Sequence, residues 1–190
     1  RTPLLVALKK LRSRQTVERL VDEWGADLHA EDNRGNNAWH YVCMGRPSAV
    51  KVAMVGWLRD RGVAMPADPA RSPLFGLLGQ LAANFPHEDA DAARMLGAMW
   101  REVGPRLDDQ LRFRACLEAA ACHRSLLAQL FAAHDAVVID PTIATRVLAR
   151  IVSRGYVNGY EWRGMFALDN VAFLVREGGA DVNARVQSRR

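Results

Sequence analysis

The sequence predicts an all-α chain: a solenoid of about five stacked helix–turn–helix repeats with short turn or hairpin connections. Three observations carry that expectation. Helix openings recur every 35 residues, at Thr2-Pro-Leu-Leu, Asn37-Ala-Trp-His and Ser72-Pro-Leu-Phe. Gly-led closings recur at Gly25-Ala-Asp-Leu-His-Ala30, Gly62-Val-Ala-Met-Pro-Ala67 and Gly179-Ala-Asp-Val-Asn-Ala184. Between opening and closing, apolar residues fall at helical spacing, as Val17, Leu20, Val21 and Trp24 do. A fixed period with helix, helix and turn in constant order is the signature of a repeat architecture.

The elements follow in order. Thr2 can cap a first helix and Pro3 suits its first position, where no amide hydrogen is needed. A break near Ser13 precedes a second helix from about Gln15 to Trp24. Gly25 can take positive φ and close that helix, and 25–30 is expected as a short extended segment. Asp32-Asn-Arg-Gly35 has the short polar side chains and the glycine of a turn. Asn37 can cap the next helix, on which Trp39, Val42 and Cys43 recur. Residues 48–61 read as its partner helix, and Ser72 opens a third unit.

Beyond residue 80 the pattern loosens. Residues 86–103 read as a helix whose first turn is acidic through Glu88, Asp89 and Asp91, a charge that suits a helix N-terminus. Gly104-Pro105 is a break. Helices are expected at 108–121 and 125–133, then from Pro141 to about Ser153. Alanines at 115, 119, 120 and 121 suit close helix–helix approach. Residues 155–165 form an aromatic loop carrying Tyr156, Tyr160 and Trp162 before a last helix. The expected units lie near 1–36, 37–71, 72–107, 108–141 and 142–185, in one domain over 1–190. Arg1 falls inside an apparent repeat, so the chain is expected to be a fragment of a longer one.

These residues resemble the ankyrin-repeat family. Thr2-Pro-Leu-Leu, Asn37-Ala-Trp-His and Ser72-Pro-Leu-Phe resemble its Thr-Pro-Leu-His opening. Gly25-Ala-Asp-Leu-His-Ala30 resembles its closing Gly-Ala-Asp-Val-Asn-Ala, which residues 179–184 match letter for letter. The resemblance is clear over 1–80 and 168–185 and degenerate between. It implies stacked helix pairs, a histidine at position 40 that hydrogen-bonds across the turn, and a small buried residue at Cys43. It also implies partner binding through turn tips and the exposed side of the first helices. Carried over by position, that surface comprises Lys9 and Lys10, then Asn33, Arg34, Asn36, Met44 and Gly45, then Arg71, Gly79 and Gln80. Tyr160 and Trp162 are a second candidate surface, because aromatic residues are enriched in binding hot spots.

Composition narrows the classes of function. Hydrophobic residues make up 49% and charged residues 25%, which is ordinary for a folded chain and argues against disorder. Net charge is +5, and nearly all of the excess is arginine, with lysine only at 9, 10 and 51. A basic surface attracts an acidic protein or a nucleic acid. The arginines are scattered and not interleaved with aromatics, which disfavours nucleic acid. No apolar run approaches a membrane span. Cys43, Cys116 and Cys122 cannot all pair within one chain; each has apolar neighbours, so free buried thiols in a reducing, cytoplasmic compartment are expected.

Catalysis finds little support. No Gly-x-Ser-x-Gly, phosphate-binding glycine loop or His-Glu-x-x-His occurs. Cys122-His123 with Cys116 fits no zinc spacing, and Cys43, three residues from His40, falls where the repeat pattern has a small buried residue and reads as a packed thiol. No catalytic residue, metal or cofactor is expected. The expectation is a protein–protein interaction scaffold, monomeric by default, whose partner has an acidic or hydrogen-bonding face. The composition and the resemblance together suit a bacterial ankyrin protein, including an effector secreted into a host cell. Two alternatives stand beside it: a substrate-recruiting arm of a longer effector enzyme, and a binder of an anionic partner such as nucleic acid.

Overall fold

The computed structural model describes residues 2–11, 13–84, 89–120, 124–131, 140–154 and 164–184. These form ten α-helices and no strand. They are α1 (Pro3–Lys9), α2 (Arg14–Asp22), α3 (Ala38–Cys43), α4 (Ala49–Asp60), α5 (Pro73–Asn84), α6 (Ala90–Val103), α7 (Asp109–Ala120), α8 (Arg124–Phe131), α9 (Pro141–Arg154) and α10 (Gly164–Arg176). Single 3₁₀ turns occupy Pro69–Arg71 and Gly104–Arg106. The all-α expectation holds for every described segment. The chain divides into two compact units, Arg1–Gln80 with Asp89–Val103, and Leu81–Glu88 with Gly104–Arg190.

In the first unit the helix openings do what their residues allow. Thr2 Oγ1 accepts from Leu5 N at 3.4 Å, and Ser72 Oγ accepts from Leu74 N at 3.2 Å. Ser48 Oγ takes Lys51 N at 3.4 Å and starts α4. Helix α1 packs on α3, and α4 packs on α6. Leu4, Leu5, Leu8, Trp39, Val42, Met54 and Leu58 are among the side chains buried in that stack. On the outer side Arg61, just past α4, clasps Asp22 of α2 with two bonds of 2.7 and 2.9 Å.

Helix α2 departs from expectation. Only Val17 is buried; Leu20 and Val21 are half-buried, and Trp24 is 67% exposed, its ring beside the Arg19 guanidinium. The 3.6-residue period placed Val17, Leu20 and Val21 on one helix, but α2 ends at Asp22 and Trp24 lies past it.

The closings are the most regular feature. Gly25, Gly62 and Gly179 all have φ between +65° and +68°. Past Gly62, Val63 N reaches Leu58 O at 3.0 Å and Gly62 N reaches Arg59 O at 2.9 Å, a Schellman closure. Gly25 and Gly179 share a wider closure, with Ala26 N on Leu20 O at 2.8 Å and Ala180 N on Leu174 O at 2.9 Å. The segments that follow are not simply extended. Asp27 Oδ1 accepts from His29 N, and Asp181 Oδ1 from Asn183 N, each at 2.8 Å. Both hexapeptides therefore fold alike, because a glycine and a short carboxylate two residues on impose the same turn. A Cβ at Gly62 would meet nothing within 4 Å, so Gly62→Ala tests the backbone alone. It is expected to cost about 1–2 kcal/mol, read from urea unfolding.

The second unit is built on small residues. Ala115, Cys116, Ala119 and Ala120 of α7 are buried, and α7 packs closely on α9, where Ala144 is also buried. Such small side chains let the two backbones approach. Asn170 of α10 is fully buried and its Nδ2 donates to Ala120 O at 2.9 Å. Phe131 meets Phe173 edge to face, centroids 5.5 Å apart. The loop with Tyr156, Tyr160 and Trp162 lies outside the described residues, as do Glu88, Ala121, Cys122 and His123.

Candidate functional site

The turn at 32–36 is built by one carboxylate. Asp32 Oδ1 accepts from Arg34 N at 2.8 Å and Asn36 N at 2.9 Å, while Oδ2 accepts from Asn36 Nδ2 at 3.0 Å and the Tyr41 hydroxyl at 2.9 Å. Asp32 N donates to Asn36 O, closing the loop. These donors, the Asn36 side chain foremost, hold the Asp32 carboxyl well below the usual carboxylate range. Asp32 is therefore ionised throughout the neutral range and fixed as a structural hub. Gly35 turns the chain at φ +74°, and the Arg71 guanidinium lies over it.

His40 couples this turn to the next. Its Nε2 lies 3.1 Å from Arg71 O, and a carbonyl can only accept, so Nε2 carries the hydrogen. Its Nδ1 is then free to accept from Asn37 N at 3.2 Å. Burial is the main cause that pulls the imidazole below its ordinary value, which favours this neutral tautomer. Arg71 precedes Ser72, the cap of α5. One side chain thus ties the start of α3 to the start of α5. Asn37 Nδ2 and Trp39 Nε1 add bonds to Ala64 O and Val63 O, at 3.2 and 2.9 Å.

The expected surface residues divide into two groups. At the turn tip, Asn33 and Arg34 are exposed, and Arg71 Nη2 donates to Arg34 O at 2.7 Å. Arg34 and Arg71 are thereby brought together. Asn36 is half-buried and its carboxamide is committed to Asp32. The inner row runs from Lys9 and Lys10 at the end of α1, both exposed, to the α3–α4 turn and α5. A Cβ at Gly45 would stand 3.9 Å from Lys9 O. Gln80 donates to Cys43 O at 3.0 Å and accepts from Gly45 N at 2.6 Å, so its amide holds the turn beside Lys9. Met44 is half-buried and offers its carbonyl inward. Gly79 is exposed on α5. Tyr160 and Trp162 lie outside the described residues.

Lys51 was not singled out by the sequence. Its side chain is buried and its ammonium donates to Met44 O. Burial pulls its pKa down, and neighbouring Lys9 acts in the same direction. The signal was present as a lysine inside Ala49-Val-Lys-Val-Ala-Met-Val55, where a helical stripe would otherwise be apolar. It closes the α3–α4 turn from below, as Gln80 does from the side.

Nucleophilic chemistry has no support in the described residues. Burial pushes the Cys43 thiol up to about 12, so no thiolate forms at neutral pH beside His40. Cys116 is buried and shifted upward for the same reason. Ellman's reagent at mildly alkaline pH is expected to leave both unmodified in the native chain and to label both in denaturant, as mapped by peptide mass spectrometry. No group of three or more His, Cys, Asp or Glu among the described residues could hold a metal ion. No helix among them is long and apolar enough to cross a membrane.

No family model, curated protein or solved structure matches the chain.

Proposed function

We propose that this chain is a non-catalytic binding scaffold of the ankyrin-repeat kind, and that it holds an acidic protein partner on the rim of its first unit. The observation that carries the reading is the turn tip. Arg34 and Arg71, 37 residues apart in the chain, are held side by side with Asn33 exposed next to them. The polar groups nearest to catalytic types, His40, Asp32 and Cys43, are meanwhile consumed by backbone bonds or burial. A turn held by backbone bonds, with two arginines on it, favours a carboxylate-bearing surface and costs little backbone ordering entropy on binding. His40 stacking one opening on the next also supports the ankyrin-type solenoid.

The test is affinity capture with residue-level crosslinking, comparing the native chain with Arg34→Glu and Lys9→Glu. Both side chains are exposed, so unfolding is not the confounder it would be at Arg71, which holds the tip itself. Loss of the partner, with crosslinks at 33–34 and 9–10 in the native chain, supports the reading. A partner retained by both variants, with crosslinks elsewhere, overturns it.

A further inference from the structure

Lys51 is a cation where its surroundings disfavour one. It is 4% exposed, and a buried charge is costly unless something answers it. It lies in the first turn of α4, where the helix start carries partial positive charge and favours carboxylates; that turn holds none. Lys9, a like charge at the end of α1, acts on it as well. No carboxylate among the described residues forms an ion pair with either lysine. Arg46 in the same turn does face one, Asp89 at 3.9 Å.

The polar groups of the α3–α4 turn do not answer the charge either. An ammonium has hydrogens to give beyond the one that Met44 O accepts, and no second acceptor among the described residues bonds Lys51. The Gln80 amide is occupied with Gly45 N and Cys43 O. Gly45 itself is exposed, and a Cβ there would stand 3.6 Å from Lys51 Nζ. Its φ of +78° suits glycine, so this residue puts no side chain over the ammonium. Lys51 is thereby recessed yet approachable across Gly45.

We propose that the α3–α4 turn is an oxyanion site, in which a carboxylate or phosphate group seats over Gly45, accepts from the Lys51 ammonium and pairs with Lys9 at the rim. The oxyanion supplies the acceptor and the counter-charge that no described residue supplies. Bonds between a charged donor and a charged acceptor are the strong ones, so a group that costs stability in the free chain becomes a source of affinity. The inference stands on the charge of this turn and needs neither Arg34 nor Arg71, so it holds or fails apart from the turn-tip reading.

The chain has lysine only at 9, 10 and 51, which makes isotope-labelled lysine a sparse and assignable NMR probe. The native chain is titrated with acetate and, separately, with inorganic phosphate, chloride being exchanged to hold ionic strength constant. The Lys51 resonance is expected to shift saturably, and the tighter of the two anions names the chemistry of the natural ligand. Lys9→Gln, an exposed change, should weaken that binding about ten-fold, the scale of one charge-assisted hydrogen bond. Lys51→Met should abolish it, with circular dichroism checking the fold. Arg101→Gln removes the same charge from the far end of the α4–α6 pair, where Arg59 bonds Glu102, and should leave the affinity unchanged. A Lys51 resonance that does not respond to either anion overturns the proposal. So does an equal loss of affinity in Lys9→Gln and Arg101→Gln, which would show general screening in place of a site.

Discussion

Trp39→Ala is expected to destabilise the chain by about 3–5 kcal/mol, the largest single effect in the first unit. The indole is buried on α3 and is among the largest fully enclosed side chains. Its removal costs more than volume. Trp39 Nε1 donates to Val63 O at 2.9 Å, so the ring also ties α3 to the segment that closes α4. Alanine would leave a cavity and a buried carbonyl without its donor. Trp39→Phe keeps most of the packing and drops the hydrogen bond, and about 1–2 kcal/mol is expected for it. Urea unfolding followed by circular dichroism separates the two. If alanine proved no worse than phenylalanine, the ring would be serving only as a donor and the packing argument would fail.

The second large effect is at His40. His40→Ala strips the partner from Asn37 N–H and from Arg71 O together, and about 2 kcal/mol is expected from two partly buried groups left unsatisfied. The same residue sets a pH dependence. Its folded pKa is lowered from the ordinary 6.5, chiefly by burial. Between the folded value and 6.5 the unfolded chain binds the proton and the folded chain does not. This contribution to stability is therefore full above 6.5, falls as pH drops through that window, and levels off once the folded imidazole is also protonated. A protonated Nδ1 can no longer accept from Asn37 N–H, which is the physical reason for the loss. The carboxylates with lowered pKa, Asp22, Asp32 and Asp140, start from 3.8 and act at lower pH. The native chain should lose stability on mild acidification while His40→Ala shows a flatter profile there. An identical slope in both would assign the effect to another group.

The helices were legible because each rests on local chemistry. Thr2, Ser48 and Ser72 cap their helices, and Gly25, Gly62 and Gly179 close theirs at positive φ. None of these depends on a distant partner, so a sequence read in order finds them. The expected surface was less legible. Lys9, Lys10, Asn33 and Arg34 are exposed, but Asn36 and Gln80 spend their amides inside the protein. Arg71 is exposed and still spends one donor on Arg34 O. A polar residue on a turn looks the same in sequence whether it faces solvent or completes a loop. Lys51 shows the reverse case, a charge buried because a nearby carbonyl accepts from it.

By itself the sequence determined the helix pairs, their order and the three glycine closings, since caps, proline, glycine and apolar period act within a few residues. It also showed the hexapeptides at 25–30 and 179–184 to be alike in letters, and predicted the first as an extended segment where the structure has a turn. Only the tertiary structure decided which of these like segments is covered. Leu28 is buried and Val182 is not, although their local turns are the same. Burial is a property of what stacks alongside, and no local rule contains it. For the same reason His40, which read as a helix-start histidine, proved to join the start of α3 to Arg71 before α5: packing placed that carbonyl within reach of its ring.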